Sequence, residues 1–167
     1  MLLAKAFIAV FACGLAAWFV AGTFSEVHHG AAVVYDGDTL EIDGEAIDLQ
    51  GIDAPEFDQP CKRSDKAWNC GAFSMAALLT TVYKKHVWCF EKGRNADSSI
   101  VAKCYVGMTD LASKQVESGW ALALEDSARR YADEQVDAQG ARRGIWTSVF
   151  DAPARWRQVQ PSRAAAR

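Results

Sequence analysis

Three short strand-like runs packed between Ala31 and Leu49 limit the fold more than any other feature of the chain. Ala31-Ala32-Val33-Val34-Tyr35 is apolar and β-branched, and Thr39-Leu40-Glu41-Ile42 alternates. Asp43-Gly44 is a tight hairpin signal, and Ala46-Ile47-Asp48-Leu49 alternates again. A period of two puts every second side chain on one face of a sheet, so a three-stranded meander is expected here. Two further strands are predicted at Val87-Trp88-Cys89-Phe90 and from Ile100 to Val106, joined by a polar loop through Lys92, Arg94 and Asp97. Between them, Ala72, Met75, Ala76, Leu79, Val82 and Tyr83 recur at helical spacing, with Asn69 as a cap and lysines at the far end. A short helix from about Asp110 to Glu117, the segment Trp120 to Leu124, and a last helix from Ser127 to about Arg143 complete the pattern. Three strands, a helix, two strands and terminal helices suit a β-barrel with helices, an α+β fold of the five-stranded oligonucleotide-binding (OB) type.

A chain of 167 residues has room for one such domain. It is placed at residues 31–148, after an N-terminal segment at 1–25. The tail at 149–167, rich in Ala, Arg and Pro, is read as flexible or as a docking extension. No charge interrupts the 19 residues from Ala6 to Phe24, a run that approaches the roughly 30 Å hydrocarbon thickness of a bilayer. Lys5 favours leaving the N-terminus in the cytoplasm. The segment is therefore expected to be a single-pass anchor with the domain in the periplasm, or a cleaved signal peptide before a secreted domain. If retained, residues 6–24 are a surface for a membrane protein partner through their Ala and Gly positions. Cys13 is read as an apolar packing residue of this segment.

Beyond it lie Cys61, Cys70, Cys89 and Cys104, an even number that in an exported chain reads as two disulfides. Three connectivities are open; local spacing favours Cys61 with Cys70, leaving Cys89 with Cys104. Four zinc thiolates are the alternative, against which stands the absence of C-x-x-C pairs. His28 and His29 sit in a polar joint and are read as solvated, with metal binding the lesser alternative. The formal net charge is −3 and the arginines gather from Arg129 to Arg167, so the balance lends nucleic-acid binding no support.

Asp36-Gly37-Asp38-Thr39 and Gly51-Ile52-Asp53-Ala54-Pro55-Glu56 together resemble the thermonuclease, or staphylococcal-nuclease-like, family. Val101 to Gly107 with Asp110-Leu111, then Gly119-Trp120-Ala121, then Arg142-Arg143-Gly144-Ile145-Trp146 resemble the rest of that domain in order and spacing. The resemblance implies an OB-type barrel and, in active members, calcium-dependent hydrolysis of DNA and RNA phosphodiesters, with no organic cofactor. Hard cations take oxygen ligands. Asp38 and Asp53 match the family's calcium ligands, and Glu56 its water-orienting general base. For Asp36 and Asp38 backbone capping is the plainer role.

Two departures decide the functional expectation. Active members carry arginine at the positions occupied here by Asp48 and Ser99, where a guanidinium neutralises the phosphate in the transition state. Each such donor contributes on the order of 2.7 to 4 kcal/mol, so losing both costs about four to six decades in rate. Leu124, Glu125 and Asp126 also replace tyrosines and basic residues that lie near the nucleotide in active relatives. Glu56 is then a vestigial base, and the domain is read as a catalytically degenerate binding or assembly module. An active calcium-dependent endonuclease, with Arg63, Lys92, Arg94 or Lys103 relocated to the site, is the alternative. The expected hollow holds acids with no cation, and a guanidinium beside Asp53 and Glu56 would favour cleavage instead.

Overall fold

The computed structural model describes residues 25–124 and 130–159. The N-terminal anchor or leader reading, Cys13, Glu125 and Asp126 lie outside the described residues. Among those described, no helix is long and apolar enough to cross a membrane.

Among the described residues the strands, in chain order, are β1 (Val27–Gly30), β2 (Val33–Val34), β3 (Thr39–Ile42), β4 (Glu45–Leu49), β5 (Ile52–Asp53), β6 (Pro60–Arg63), β7 (Lys66–Asn69), β8 (Val87–Arg94), β9 (Ile100–Val106), β10 (Thr109–Asp110) and β11 (Leu122–Ala123). The helices are α1 (Cys70–Val82), α2 (Leu111–Glu117), α3 (Ala132–Gly140) and α4 (Pro153–Val159), with a 3-10 turn at Gly144–Thr147. The main sheet runs β1-β8-β9-β4-β3-β2, with β10 also on β9. Only β4 and β9 pair in parallel, Asp48 opposite Val101. The sheet curls, so that a Cβ on Gly30 of β1 would come within 3.3 Å of Ile42 on β3. The result is a mixed α+β fold around a half-barrel, with Leu40, Ile47, Val87, Ala102, Leu111 and Val116 closing one core.

All five predicted strands lie in this sheet, and three differences matter. The joint holding His28 and His29 is β1, an edge strand paired residue for residue with β8. Residues 60–69, which carry no apolar alternation, form the β6–β7 hairpin because each strand is tied down at an end. Cys61 is bonded to Cys70 at the start of α1, and Lys62 exchanges both backbone hydrogen bonds with Val149 at 2.8 Å. The last helix is shorter than expected, Ala132–Gly140, and Gly144 opens the following turn.

Both disulfides form with the pairing that local spacing favours, Cys61–Cys70 and Cys89–Cys104, which removes the zinc-thiolate alternative. The second joins directly opposed residues of β8 and β9. Two such bonds are in keeping with an oxidising, extracytoplasmic setting.

The α1 helix begins where Asn69 accepts the Ala72 N–H at 3.0 Å. Of the expected stripe Val82 is buried and Met75 packs on the core, but Leu79 and Tyr83 are exposed, and Ser74 and Leu78 turn inward in their place. The reason lies at Gly37, where a Cβ would stand 1.8 Å from Ser74 Oγ. The Asp36-Gly37-Asp38 turn and α1 touch through the one residue without a side chain and one of the smallest with one. Gln115 of α2 locks the contact by donating to the Gly37 carbonyl at 2.6 Å. Gly119 and Gly144 meet in a similar way, each with positive φ, and Ile145 N–H donates to Gly119 O at 2.9 Å. Their approach leaves no room for a Cβ on either.

Candidate functional site

The Asp36-to-Thr39 turn is held by Asp36, whose Oδ1 accepts the backbone N–H groups of Asp38 at 3.1 Å and Thr39 at 2.8 Å. That capping leaves Asp38 directed across to the next turn, where its Oδ2 accepts the Ala54 N–H at 2.6 Å. Burial, reinforced by the neighbouring Asp36 carboxylate, pushes Asp38 well above the usual carboxylate range. Asp53 ends β5, and Glu56 follows Pro55 in a turn closed by Gln59, whose buried amide also donates to Asp151 O at 2.8 Å. Asp38, Asp48, Asp53 and Glu56 line one cleft of about 530 Å³.

The linkage at Asp38 gives a testable sign. Its native value lies above its unfolded one, so the folded chain holds this proton more tightly and native stability rises as pH falls through the raised value. Asp38→Asn keeps an oxygen for the Ala54 N–H and removes the charge. It should raise the melting temperature at pH 7, a gain that shrinks toward zero as pH falls to the unfolded value of about 4. Melting curves across that pH range check it; a variant less stable than the native chain at neutral pH would contradict it.

The two positions expected to have lost arginine are in contact. Ser99 Oγ lies 2.8 Å from Asp48 Oδ2, and Asp48 also accepts from the Thr39 hydroxyl at 2.9 Å and from Asn95 Nδ2 at 2.6 Å. The Ser99 hydroxyl stands equally near Asp97 Oδ1, and this hydroxyl with the Ser99 N–H holds the Asp97 carboxyl below its usual range. Asp48 thus accepts from Thr39 and Asn95, while Ser99 shares its one hydroxyl proton between Asp48 and Asp97.

The expectation of a hollow without a cation is overturned. Arg157 of α4 reaches into the cleft and pairs Nη2 with Asp53 Oδ1 and Nη1 with Glu56 Oε1, both at 2.9 Å. Asp53 Oδ2 accepts the Ala154 N–H at 3.0 Å, so the same helix engages both Asp53 oxygens. Residues 153–159 are therefore a docked helix rather than a flexible tail, with Trp156 buried and the segment before it paired to β6. Its seven residues contain too few apolar positions for periodicity to show, and the buried Pro-x-x-Trp pair is the one signal that marks it.

None of Arg63, Lys92, Arg94 and Lys103, the cations considered for relocation, lines this cleft, although Arg94 lines an adjoining hollow with Asp48 and Ser99. Arg63 donates to Thr147 and stacks over Trp68, Arg94 pairs with Glu91, and Lys103 lies beside Tyr105. Among the described residues lining the cleft, five carboxylates (Asp38, Asp48, Asp53, Glu56, Asp97) face one guanidinium. Leu124 lines it where an aromatic or basic residue was of interest.

The turn at 36–39, the turn at 51–56 and the loop at 95–97 thus meet around one cleft, and the Gly119 and Arg142-to-Trp146 segments pack against each other. A family model described as Staphylococcal nuclease homologue matches residues 46–148. The chain belongs to that family. It is also 35% identical over 121 residues to the "Succinoglycan biosynthesis protein ExoI" of Rhizobium meliloti (strain 1021). The match covers 70% of this chain and 63% of that relative, so the chain spans less than two thirds of the relative's length.

Members of this nuclease family use calcium, and oxygen donors of the right kind are present in Asp38 and Asp53. With α4 docked, however, an ion must compete for these ligands: both Asp53 oxygens accept N–H groups, and a guanidinium stands between Asp53 and Glu56. A second positive charge beside Arg157 would be repelled at short range.

Proposed function

We propose that this chain is a degenerate thermonuclease-type domain, retained outside the cytoplasm as a binding or assembly module rather than for phosphodiester cleavage. One observation carries the reading: Asp48, which with Ser99 stands where the resemblance implies arginine in active relatives, is a carboxylate held by contacts with Thr39, Asn95 and Ser99. A phosphodiester approaching that point meets a carboxylate instead of a guanidinium. Arg157 does not restore the balance, because it is spent on Asp53 and Glu56, at the metal and base positions rather than at 48 and 99. The surplus of carboxylates suits a cationic partner over a polyanion. Tethering by residues 6–24 and an OB-type closure of the half-barrel belong to the same proposal, supported by the charge-free run and by the family.

The second reading is calcium-dependent cleavage, which the mere presence of Arg157 favours, since its guanidinium has five N–H donors and only two are engaged in these pairs. The two readings separate on single-stranded DNA, with the purified chain assayed in calcium and in chelator. No chelator-sensitive cleavage is expected. Cleavage that disappears with chelator and with Glu56→Gln would establish the nuclease and reject the degenerate reading.

A further inference from the structure

All three histidines of the chain gather on the β1–β8 edge, and none of them lines the cleft of Asp53 and Glu56. His28 presents both ring nitrogens to carboxylates: Nδ1 lies 3.0 Å from Glu45 Oε2 and Nε2 lies 3.2 Å from Glu91 Oε2. Its side chain is only 9% exposed, which fixes the ring in this orientation. Neutral imidazole has one N–H. If Nδ1–H donates to Glu45, Nε2 turns a lone pair on the Glu91 carboxylate, and the two can face each other only with a cation between them, a proton or a metal ion.

The backbone adds an independent reason. The β1–β8 register runs Val27 opposite Phe90, and Glu91 N–H donates to Glu26 O at 2.8 Å, so it continues to Glu26 opposite Glu91. Like charges directly opposed across a strand pair are destabilising. Arg94 pairs Nε with Glu91 Oε1 at 3.3 Å and reaches Oε2 only at 3.5 Å, so Oε2 is the oxygen turned toward His28, at 3.2 Å. One ligand atom from each of Glu26, His28 and Glu91 lies within 4.8 Å of the others. A tetrahedral zinc ion with ligand bonds of about 2.0–2.2 Å needs donors roughly 3.3 Å apart, the spacing His28 and Glu91 already have. Glu45 supplies the carboxylate that orients a metal-bound histidine from behind.

We propose that Glu26, His28 and Glu91 bind a divalent transition-metal ion through His28 Nε2 and two carboxylates, with water completing the shell. The ion pins the edge strand β1 to β8 beside the Cys89–Cys104 disulfide, and zinc is the probe ion.

Zinc chloride titrated into the untagged full chain, followed by calorimetry and by the histidine ring-nitrogen NMR signals, tests this. One equivalent is expected to bind with the His28 signals shifted. His28→Gln should abolish binding, and Glu45→Gln, at a half-exposed site that should not disturb folding, should weaken it by about ten-fold to a hundred-fold. Three results would overturn the proposal. One is no binding to the native chain. Another is binding that survives His28→Gln and disappears with His86→Gln, which would place the ion on the His29–His86 pair, whose ring nitrogens lie 3.2 Å apart. The last is binding removed by Asp53→Asn, which would place it in the cleft.

Discussion

The Asp48→Arg, Ser99→Arg double variant should cleave single-stranded DNA in calcium by about 10²- to 10³-fold more than the native chain. The two residues already touch, so guanidiniums placed there would converge on one point, and the Asp48 charge that repels a phosphate would be gone. Thr39 and Asn95, released from Asp48, become donors for the incoming anion. The gain stays below the four to six decades that two arginines are worth in full, because Arg157 still covers Glu56 and calcium must compete with it. Adding Glu56→Gln to the double variant should return it to the native level. A fluorogenic oligonucleotide read with calcium and with chelator measures all three proteins. A double variant that folds, binds calcium and remains as silent as the native chain would show that the missing arginines are not what silences this domain.

Truncating the guanidinium has the second large effect, on stability. Arg157→Ala leaves Asp53 and Glu56, whose side chains are 9% and 12% exposed, facing each other without their shared cation. Breaking a buried pair on one side costs about 3–5 kcal/mol. The Arg157 side chain is itself 36% exposed, which brings the expected loss to about 2–4 kcal/mol, a fall in melting temperature of roughly 10 °C for a domain this size. Arg157→Lys should recover only part of it, since an ammonium is a point charge and cannot span both carboxylates in parallel. Calcium then becomes diagnostic. Millimolar calcium should raise the melting temperature of Arg157→Ala and leave the native chain unmoved, because the vacated carboxylates regain a cation. If the native chain is stabilised equally, α4 does not exclude the metal and the case for a spent arginine is lost.

Both experiments turn on α4, which the sequence did not reveal. Its docking depends on contacts more than ninety residues apart: Gln59 with Asp151, Asp53 with Ala154 and Arg157, and Glu56 with Arg157. Nothing in a seven-residue stretch of Pro, Ala, Arg, Trp, Gln and Val encodes those partners locally. The buried stripe of α1 was misplaced for a related reason. Its apolar positions point to Leu79 and Tyr83, but the close approach of Ser74 to Gly37 sets the rotation of the helix. Small residues decide which face comes in, and hydrophobicity scores them low.

What the sequence determined by itself was everything local or repeated: the alternating strands, the Asn69 cap, the hairpin at Asp43-Gly44, the disulfide partners, and the two turns that mark the family. Register and turn chemistry are written within a few residues, so they can be read there. The tertiary structure alone decided the charge state of the cleft. Whether five acids stand unanswered or meet a guanidinium depends on where a distant helix comes to rest, and a Coulomb energy is set by separation in space, which no spacing along the chain records.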